Sequence, residues 1–466
     1  MVNPYKTHWY NRKVSFWFSR NDDRPEGHNH DVECLRFAGT GSDKPPVRIY
    51  LGTEPRQYRA TRVFVWSVLK IKDPSRDYEI YLMSDLAGIP REGWKTGFTN
   101  YRYLIPDLTG NTGRAIYNDV DQIYLSDPAL LFDLDMNDAG VLAISEKENS
   151  VMLIDCETMA PLWTRDAVQA GEKHVYFKGK VSSHHSFGLL AESWNSRDGA
   201  VPIEQTDCLH YTTLHTQPWK PFPHQLRYSA SPLGAVWHEL EAEADAAGFM
   251  LFTNDTPSRE GINLIEQYKL MHADGLEAAK ANPDVPKPFQ GGSLAKHAIS
   301  IAKLAKGAET ILDYGAGKAV TYEVPVDQSV DKPLRISKHW PGVTVHCYDP
   351  GHKPFADLPD DLFDGVISTD VVEHLAPYDV PWVLDQIFAR AKKFVYIVAA
   401  CYPARKVLPN GRNAHSIQQL PDWWHMQIAL LARRYPDIHW ILVAETKGKA
   451  GRKQYIFDNS SPSPLK

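Results

Sequence analysis

The sequence predicts an α/β protein of two domains, and three observations carry that expectation. The chain has 466 residues, enough for two or three domains at about 150 residues each. Short apolar runs alternate with stretches of helical periodicity over residues 47–255 and again over 291–446, the rhythm of sheets covered by helices. Between them ANPDVPKPFQGG, rich in proline and glycine, breaks both patterns and reads as a hinge. The predicted organisation is an N-terminal extension over 1–45, a first domain over 46–255, a helical and Pro/Gly linker over 256–290, and a second domain over 291–460.

Each element has a local reason. VRIYLGTE (47–54) is a buried strand, and RQYRATRVFVWSVLKI places Ala60, Val63, Phe64 and Ser67 on one helical face. YEIYLM, RAIYN and VMLIDC follow as strands, and the alternation fades after FMLFTND (249–255). NLIEQYKLMHADGLEAAK is amphipathic and belongs to the linker. SLAKHAISIAKLAK is an amphipathic helix that leads into the strand TILDY, after which VTVHCYDP, DGVIST and FVYIVAACY continue a second sheet.

Composition excludes several classes. A net charge of −6 and a pI near 6.3 give no general attraction to nucleic acid, and no basic run supplies one locally. No apolar run approaches the roughly 20 residues of a spanning helix, and the first residues lack the apolar core of a secretory signal. Five widely spaced cysteines without a CxxC pair fit free thiols in a reducing cytoplasm. The histidine pairs His28/His30 and His184/His185 lie in polar loops and read as solvated.

The first candidate site is Asp119-Val120-Asp121. Strand alternation puts residues i and i+2 on one face, so the two carboxylates stand together at the carboxyl end of RAIYN. That is costly unless a divalent cation lies between them, and ligands bind open α/β sheets at such strand ends. His210, in CLHYTTLHTQPWKPF, is an available third ligand. Two exposed acids at a strand end is the plain alternative.

Asp119-Val-Asp121 after an apolar strand, VMLIDC, ESWN and the His210…Pro218-Trp219 segment resemble the GT-A-fold glycosyltransferases. The likeness is to the retaining family of glycogenin and the bacterial lipopolysaccharide galactosyl- and glucosyltransferases, over residues 47–250. The resemblance implies that Asp119, Asp121 and His210 hold Mn²⁺ or Mg²⁺. The cation would neutralise the diphosphate of a nucleotide-diphosphate sugar and act as Lewis acid for the departing nucleotide. It also implies that Gly52 and Thr53 contact the nucleotide and that Arg114 steadies the phosphates or sugar. Two departures stand out: Gln217 occupies the place of the family's lysine with spacing longer by one, and no Asp-Gln pair is evident between Cys156 and Trp194.

The second candidate site is TILDYGAGKA. Asp313 ends a strand, and Gly315 and Gly317 let the backbone pass close to a ligand. The next strand ends in Asp349, an acid suited to two ribose hydroxyls, and DGVISTDVVEHL carries Asp370, Glu373 and His374. In this order the elements resemble class I methyltransferases that use S-adenosylmethionine, a Rossmann-like fold, over residues 291–446. The resemblance implies that Asp313, Gly315 and Gly317 cradle the cofactor's amino acid end, Asp349 its ribose and Asp357 its adenine. The stretch between Asp313 and Asp349 is long and reads as an insertion over the cofactor or acceptor.

Methyl transfer to a hydroxyl needs in-line proximity and a base. His374 is the candidate base, with Glu373 and Asp370 beside it; a plain helix-start pair of Glu373 and His374 is the alternative. With His415 these residues also resemble the cation set of small-RNA 2′-O-methyltransferases. The function expected is a bifunctional enzyme that transfers sugar from a nucleotide sugar and O-methylates a sugar or glycan, linkage raising the local concentration of a shared intermediate. The alternatives are a methyltransferase whose first half only binds the glycan or nucleotide sugar, and a nucleic-acid 2′-O-methyltransferase.

Overall fold

A computed structural model of the chain describes residues 32–89, 96–172, 175, 187–223, 226–273, 293–323, 336–448 and 451–464. The four histidines of the polar loops, most of the N-terminal extension, the Pro/Gly hinge and the middle of the Asp313–Asp349 insertion lie outside the described residues. The chain is mixed α/β and divides into two compact units, residues 1–251 and 252–466.

The first unit is built on a seven-stranded sheet of order β1-β3-β2-β4-β7-β6-β8. Its strands are β1 (Glu33–Phe37), β2 (Val47–Gly52), β3 (Tyr78–Met83), β4 (Arg114–Asp119), β6 (Val141–Ala143), β7 (Val151–Asp155) and β8 (Phe187–Leu189). β2 runs parallel to both β3 and β4, so the chain turns to opposite sides of β2 and leaves a crevice at the carboxyl ends. A smaller sheet joins β5 (Gln122–Tyr124), β10 (Cys208–His210) and β9 (Ser196–Arg197).

Helix α1 (Tyr58–Ile71) buries Ala60, Val63, Phe64 and Ser67, the face its spacing predicts. It faces α2 (Gly234–Ala246), where Arg59 makes a bidentate pair with Glu241 at 2.7 and 2.6 Å, both nearly fully buried. The described end of the N-terminal extension, expected to pack on the first domain, does so as an edge strand: β1 pairs antiparallel with β3, with Leu35 buried and Arg36 exposed.

The second unit is a six-stranded sheet of order β12-β11-β13-β14-β15-β16, parallel except for the last pair. In chain order it contains α3 (Arg259–Ala273), α4 (Leu294–Leu304), β11 (Thr310–Tyr314), β12 (Thr344–Tyr348), β13 (Phe363–Thr369), α5 (Val380–Ala389), β14 (Ala391–Ala400), α6 (Pro421–Ala432), β15 (His439–Gly448) and β16 (Gly451–Asp458). β11 has β12 on one side and β13 on the other, which again opens a crevice at the strand ends. The predicted linker is corrected here: α3 belongs to the second unit and buries Leu264 and Met271 against Ala376, Leu408 and Ala414. No helix among the described residues is long and apolar enough to cross a membrane. All five cysteines are free thiols.

Candidate functional site

In the first unit β4 ends at Asp119, which lies beside Gly52 across the β2–β4 pair. Val120 and Asp121 form a two-residue turn, and β5 starts at Gln122. β10 lies antiparallel to β5 with His210 opposite Gln122, and the Tyr211 N–H donates to the Asp121 carbonyl at 2.9 Å. Asp119, Asp121 and His210 thereby each place one ligand atom within 4.8 Å of the others. The two acids meet through a turn, and not through the strand alternation expected from sequence, because β4 has already ended.

The donor chemistry suits a cation. His210 Nδ1 lies 2.8 Å from Asn195 Oδ1, an acceptor, so the proton sits on Nδ1 and Nε2 presents a lone pair. Nε2 faces the buried Asp121 Oδ1 at 3.1 Å, a pair that either a proton on Nε2 or a cation can bridge. In the neutral imidazole the Nε2 lone pair and the carboxylate oxygen face one point that a cation could share in place of the proton. Burial opposes charge on His210, but the Asp121 and Asp119 carboxylates outweigh it and hold the imidazole above its ordinary range. The site therefore draws positive charge. Burial pushes the Asp119 carboxyl up despite the Arg102 guanidinium beside it.

Among the neighbours, Arg102 had no sequence signal and Gln217 showed only as a departure from the resembled family. Arg102 donates to Asp119 Oδ1 at 3.0 Å, is held by the Asn149 carbonyl at 2.6 Å, and lies over the Tyr117 ring, whose hydroxyl bonds the same Asp119 oxygen. Gln217, where the resembled family has lysine, donates to Asp121 Oδ2 at 3.3 Å and to the Tyr211 carbonyl at 3.1 Å. Trp219 is core: its Nε1 donates to Gln57 at 2.6 Å and its ring packs against Tyr211 and Trp237.

Three predicted contacts separate. Gly52 stands at the crevice, where an added Cβ would come within 2.5 Å of the Tyr117 hydroxyl. Thr53 is a correction: it is buried and its hydroxyl lies 2.7 Å from that of Thr61, which turns it into the fold. Arg114 is another: it opens β4, at the end opposite Asp119, and donates to the Leu134 carbonyl at 2.8 Å.

The second unit holds a cavity of about 300 Å³ at the carboxyl ends of β11, β12 and β13. Gly315 has φ +86° and sits so close to Val371 that a Cβ would fall 2.4 Å from its methyl groups. Asp349 lines the cavity and fastens its two loops together, accepting from the Gly317 N–H and the Gly351 N–H at 2.9 Å each. Asp313 is a correction: it is buried behind the wall, and its Oδ2 accepts from the Tyr322 hydroxyl at 2.7 Å. Burial raises its pKa to about 7. Asp357 is exposed and is not on the cavity wall.

At the other end of this cavity Glu373, His374 and His415 place ligand atoms within 4.8 Å of one another. The expected helix start is a single 3₁₀ turn, Val372–His374, preceded by Asp370 at φ +53°. His374 Nδ1 lies 2.8 Å from the Ala414 carbonyl and His415 Nδ1 2.6 Å from the Tyr402 carbonyl. Carbonyls only accept, so both imidazoles carry the proton on Nδ1 and keep a lone pair on Nε2. Glu373 Oε1 accepts from the Ala400 N–H at 3.1 Å, while Glu373 Oε2 and Asp370 Oδ1 are buried without hydrogen-bond partners. Burial lowers the His374 pKa to about 3 and also lowers that of His415. Burial, with Asp370 nearby, raises that of Glu373. Two neutral imidazoles and the Glu373 carboxylate again match a cation set.

No protein-family model matches the chain. Protein CDI of Arabidopsis thaliana is 31% identical over 115 residues, which is 23% of this chain and 43% of that protein. The chain thus spans less than half the length of this curated relative. Among solved structures, the galactosyltransferase LgtC with donor and acceptor sugar analogs superposes with a TM-score of 0.32 at 12% identity, over 42% of this chain and 96% of LgtC. The glycosyltransferase GlyE of Streptococcus pneumoniae TIGR4 gives 0.33 at 13%, over 77% of this chain and 91% of GlyE. The bifunctional glycosyltransferase WbbM gives 0.29 at 12%, over 44% and 54%. These superpositions are loose, and the functional reading rests on the residues themselves.

Proposed function

We propose that the first unit transfers a sugar from a nucleotide-diphosphate sugar to a saccharide acceptor, and that the second O-methylates a sugar or glycan with S-adenosylmethionine. The observation that carries the first half is the convergence of Asp119, Asp121 and His210, whose ligand atoms lie within 4.8 Å of one another, with His210 Nε2 3.1 Å from Asp121 Oδ1. Asp119, Asp121 and His210 would hold Mn²⁺ or Mg²⁺, which supplies Lewis acidity toward a diphosphate leaving group. Arg102 neutralises Asp119, Gln217 orients Asp121, and Gly52, lacking a Cβ, lets the Tyr117 and Phe98 rings close against the end of β2.

In the second unit the glycine loop and Asp349 support a nucleoside-bearing cofactor at one end of the cavity. Glu373, His374 and His415 support a cation at the other, with Asp370 lining the cavity nearby; a cation held there would supply acidity to an acceptor hydroxyl. Within this reading His374 Nε2 is the group that orients or receives the acceptor's proton, and the aromatic side chains of Tyr314, Tyr348 and Trp382 keep water from the apolar wall.

A panel of nucleotide sugars titrated with and without Mn²⁺ tests the first half; binding of at least one donor is expected to require the metal. For the second half, S-adenosylhomocysteine is expected to bind, and Asp349→Ala to weaken it about 100-fold by releasing both loops and the ribose contact. Calorimetry reads both. Donor binding indifferent to Mn²⁺ would remove the first half, and equal affinity in Asp349→Ala the second.

A further inference from the structure

We propose that Tyr268 is a positioning residue for His374, and that helix α3, which carries it, couples the cation set to the nucleoside end of the same cavity. The inference rests on the reading of the second unit as a cation-assisted methyltransferase. The Tyr268 hydroxyl donates to the Ala414 carbonyl at 2.8 Å and lies 2.8 Å from His374 Nδ1, so hydroxyl, imidazole and carbonyl close a three-membered cluster. The Tyr268 and His374 rings meet edge-on at 5.5 Å. That cluster fixes both the tautomer and the ring plane of His374, and hence the direction of the Nε2 lone pair. Tyr268 reaches the site from a helix outside the sheet, and its hydroxyl ties that helix to the imidazole nitrogen.

The same helix face reaches the other end. His272 follows Tyr268 by one helical turn, so the two side chains stack along one side of α3, and both line the cavity. Gly351, beside Asp349, lies flush against them: a Cβ there would come within 3.0 Å of Tyr268 Cβ and 3.3 Å of His272 Cδ2. Lys318, from the glycine loop, donates to the His272 carbonyl at 3.2 Å. The amino end of the helix is hooked by Asp379, which accepts from Ser258 at 3.0 and 2.9 Å. A helix of 15 residues held in this way moves as one body. Whatever fixes His374 through its Nε2 therefore fixes Tyr268, and through α3 the wall beside Asp349 and the glycine loop. Linkage of this kind is reciprocal: the cation and the nucleoside ligand tighten each other by one factor.

The test uses the full chain carrying Asp121→Asn, so that the first unit's acids do not compete for metal. S-Adenosylhomocysteine is titrated with and without Mn²⁺, and Mn²⁺ binding is followed by electron paramagnetic resonance. In this parent Mn²⁺ is expected to tighten the nucleoside about 5–10-fold. Adding Tyr268→Phe, which keeps the ring, is expected to weaken Mn²⁺ about 10-fold. It should also bring the linkage factor to about 1, with nucleoside affinity in the absence of metal little changed. His272→Ala, at the far end, should lower the linkage while leaving Mn²⁺ affinity in place, which keeps the test open should the tyrosine variant fold poorly. Undiminished linkage in both variants overturns the coupling. A parent that binds Mn²⁺ equally well with and without Glu373→Gln overturns the underlying cation reading instead, so the two failures are told apart.

Discussion

Replacing Asp121 with asparagine is expected to lower release of nucleoside diphosphate by about 10³-fold or more, with the fold intact. The choice of Asp121 over Asp119 follows from their partners. Asp119 Oδ1 already takes the Arg102 guanidinium and the Tyr117 hydroxyl, so its removal would leave a buried arginine without its counter-charge and confuse a functional loss with a structural one. Asp121 holds no arginine or lysine; it faces His210 Nε2 and takes one amide hydrogen from Gln217. Asparagine keeps the size and an oxygen that can still accept from Gln217, while it removes the negative charge that a cation and diphosphate share. The measurement is nucleoside diphosphate released from the donor that the unaltered chain turns over fastest, at saturating Mn²⁺, beside Mn²⁺ affinity and a thermal midpoint. A variant that keeps both its turnover and its Mn²⁺ affinity would end the sugar-transfer reading. Full turnover with lost Mn²⁺ affinity would show the cation to be dispensable.

The parts of this molecule that sequence made legible are those whose physical cause is local. Buried parallel strands must be apolar on both faces, so VRIYLG, DGVIST and FVYIVAA announce themselves as continuous runs. The convergence of Asp119, Asp121 and His210 was legible from residue type and order, although the geometry that produces it, a turn followed by the β5–β10 pair, was not. An edge strand such as ECLRF carries only one well-buried residue and so gives no signal above its polar surroundings. Helix α3 read as linker because it runs into the Pro/Gly stretch and much of its surface is polar; its role comes from Asp379 and the 404–414 loop, far away in sequence. Arg114 and Thr53 were misplaced for one reason: nearness to a motif along the chain says nothing about direction. Five residues of strand separate Arg114 from Asp119, about 16 Å at the usual rise, and Thr53 turns to Thr61. Arg102, Gln217 and Tyr268 touch the candidate ligands only through tertiary contacts, for which one sequence carries no pattern.

Asp313 leads to the other large effect, and it concerns stability. A carboxyl with a pKa of about 7 in the fold, raised by burial, and about 3.9 in the unfolded chain binds its proton more tightly when folded. Below about pH 3 both states are protonated and the group is neutral in its effect. As pH rises toward 7 the unfolded chain gives up the proton while the folded one keeps it, so stability falls through that window and levels off above it. The full difference is on the order of 4 kcal/mol. Asp313→Asn removes the ionisation and still accepts from the Tyr322 hydroxyl, whose 2.7 Å bond partly offsets the effect of burial. The variant's second unit is therefore expected to gain most of that difference at pH 8 and only about 1 kcal/mol at pH 4.5, read by urea denaturation of the full chain with a probe in that unit, such as the fluorescence of the buried Trp424 or Trp340. A gain at pH 4.5 equal to that at pH 8 would show that the carboxyl's charge is not what the asparagine removes.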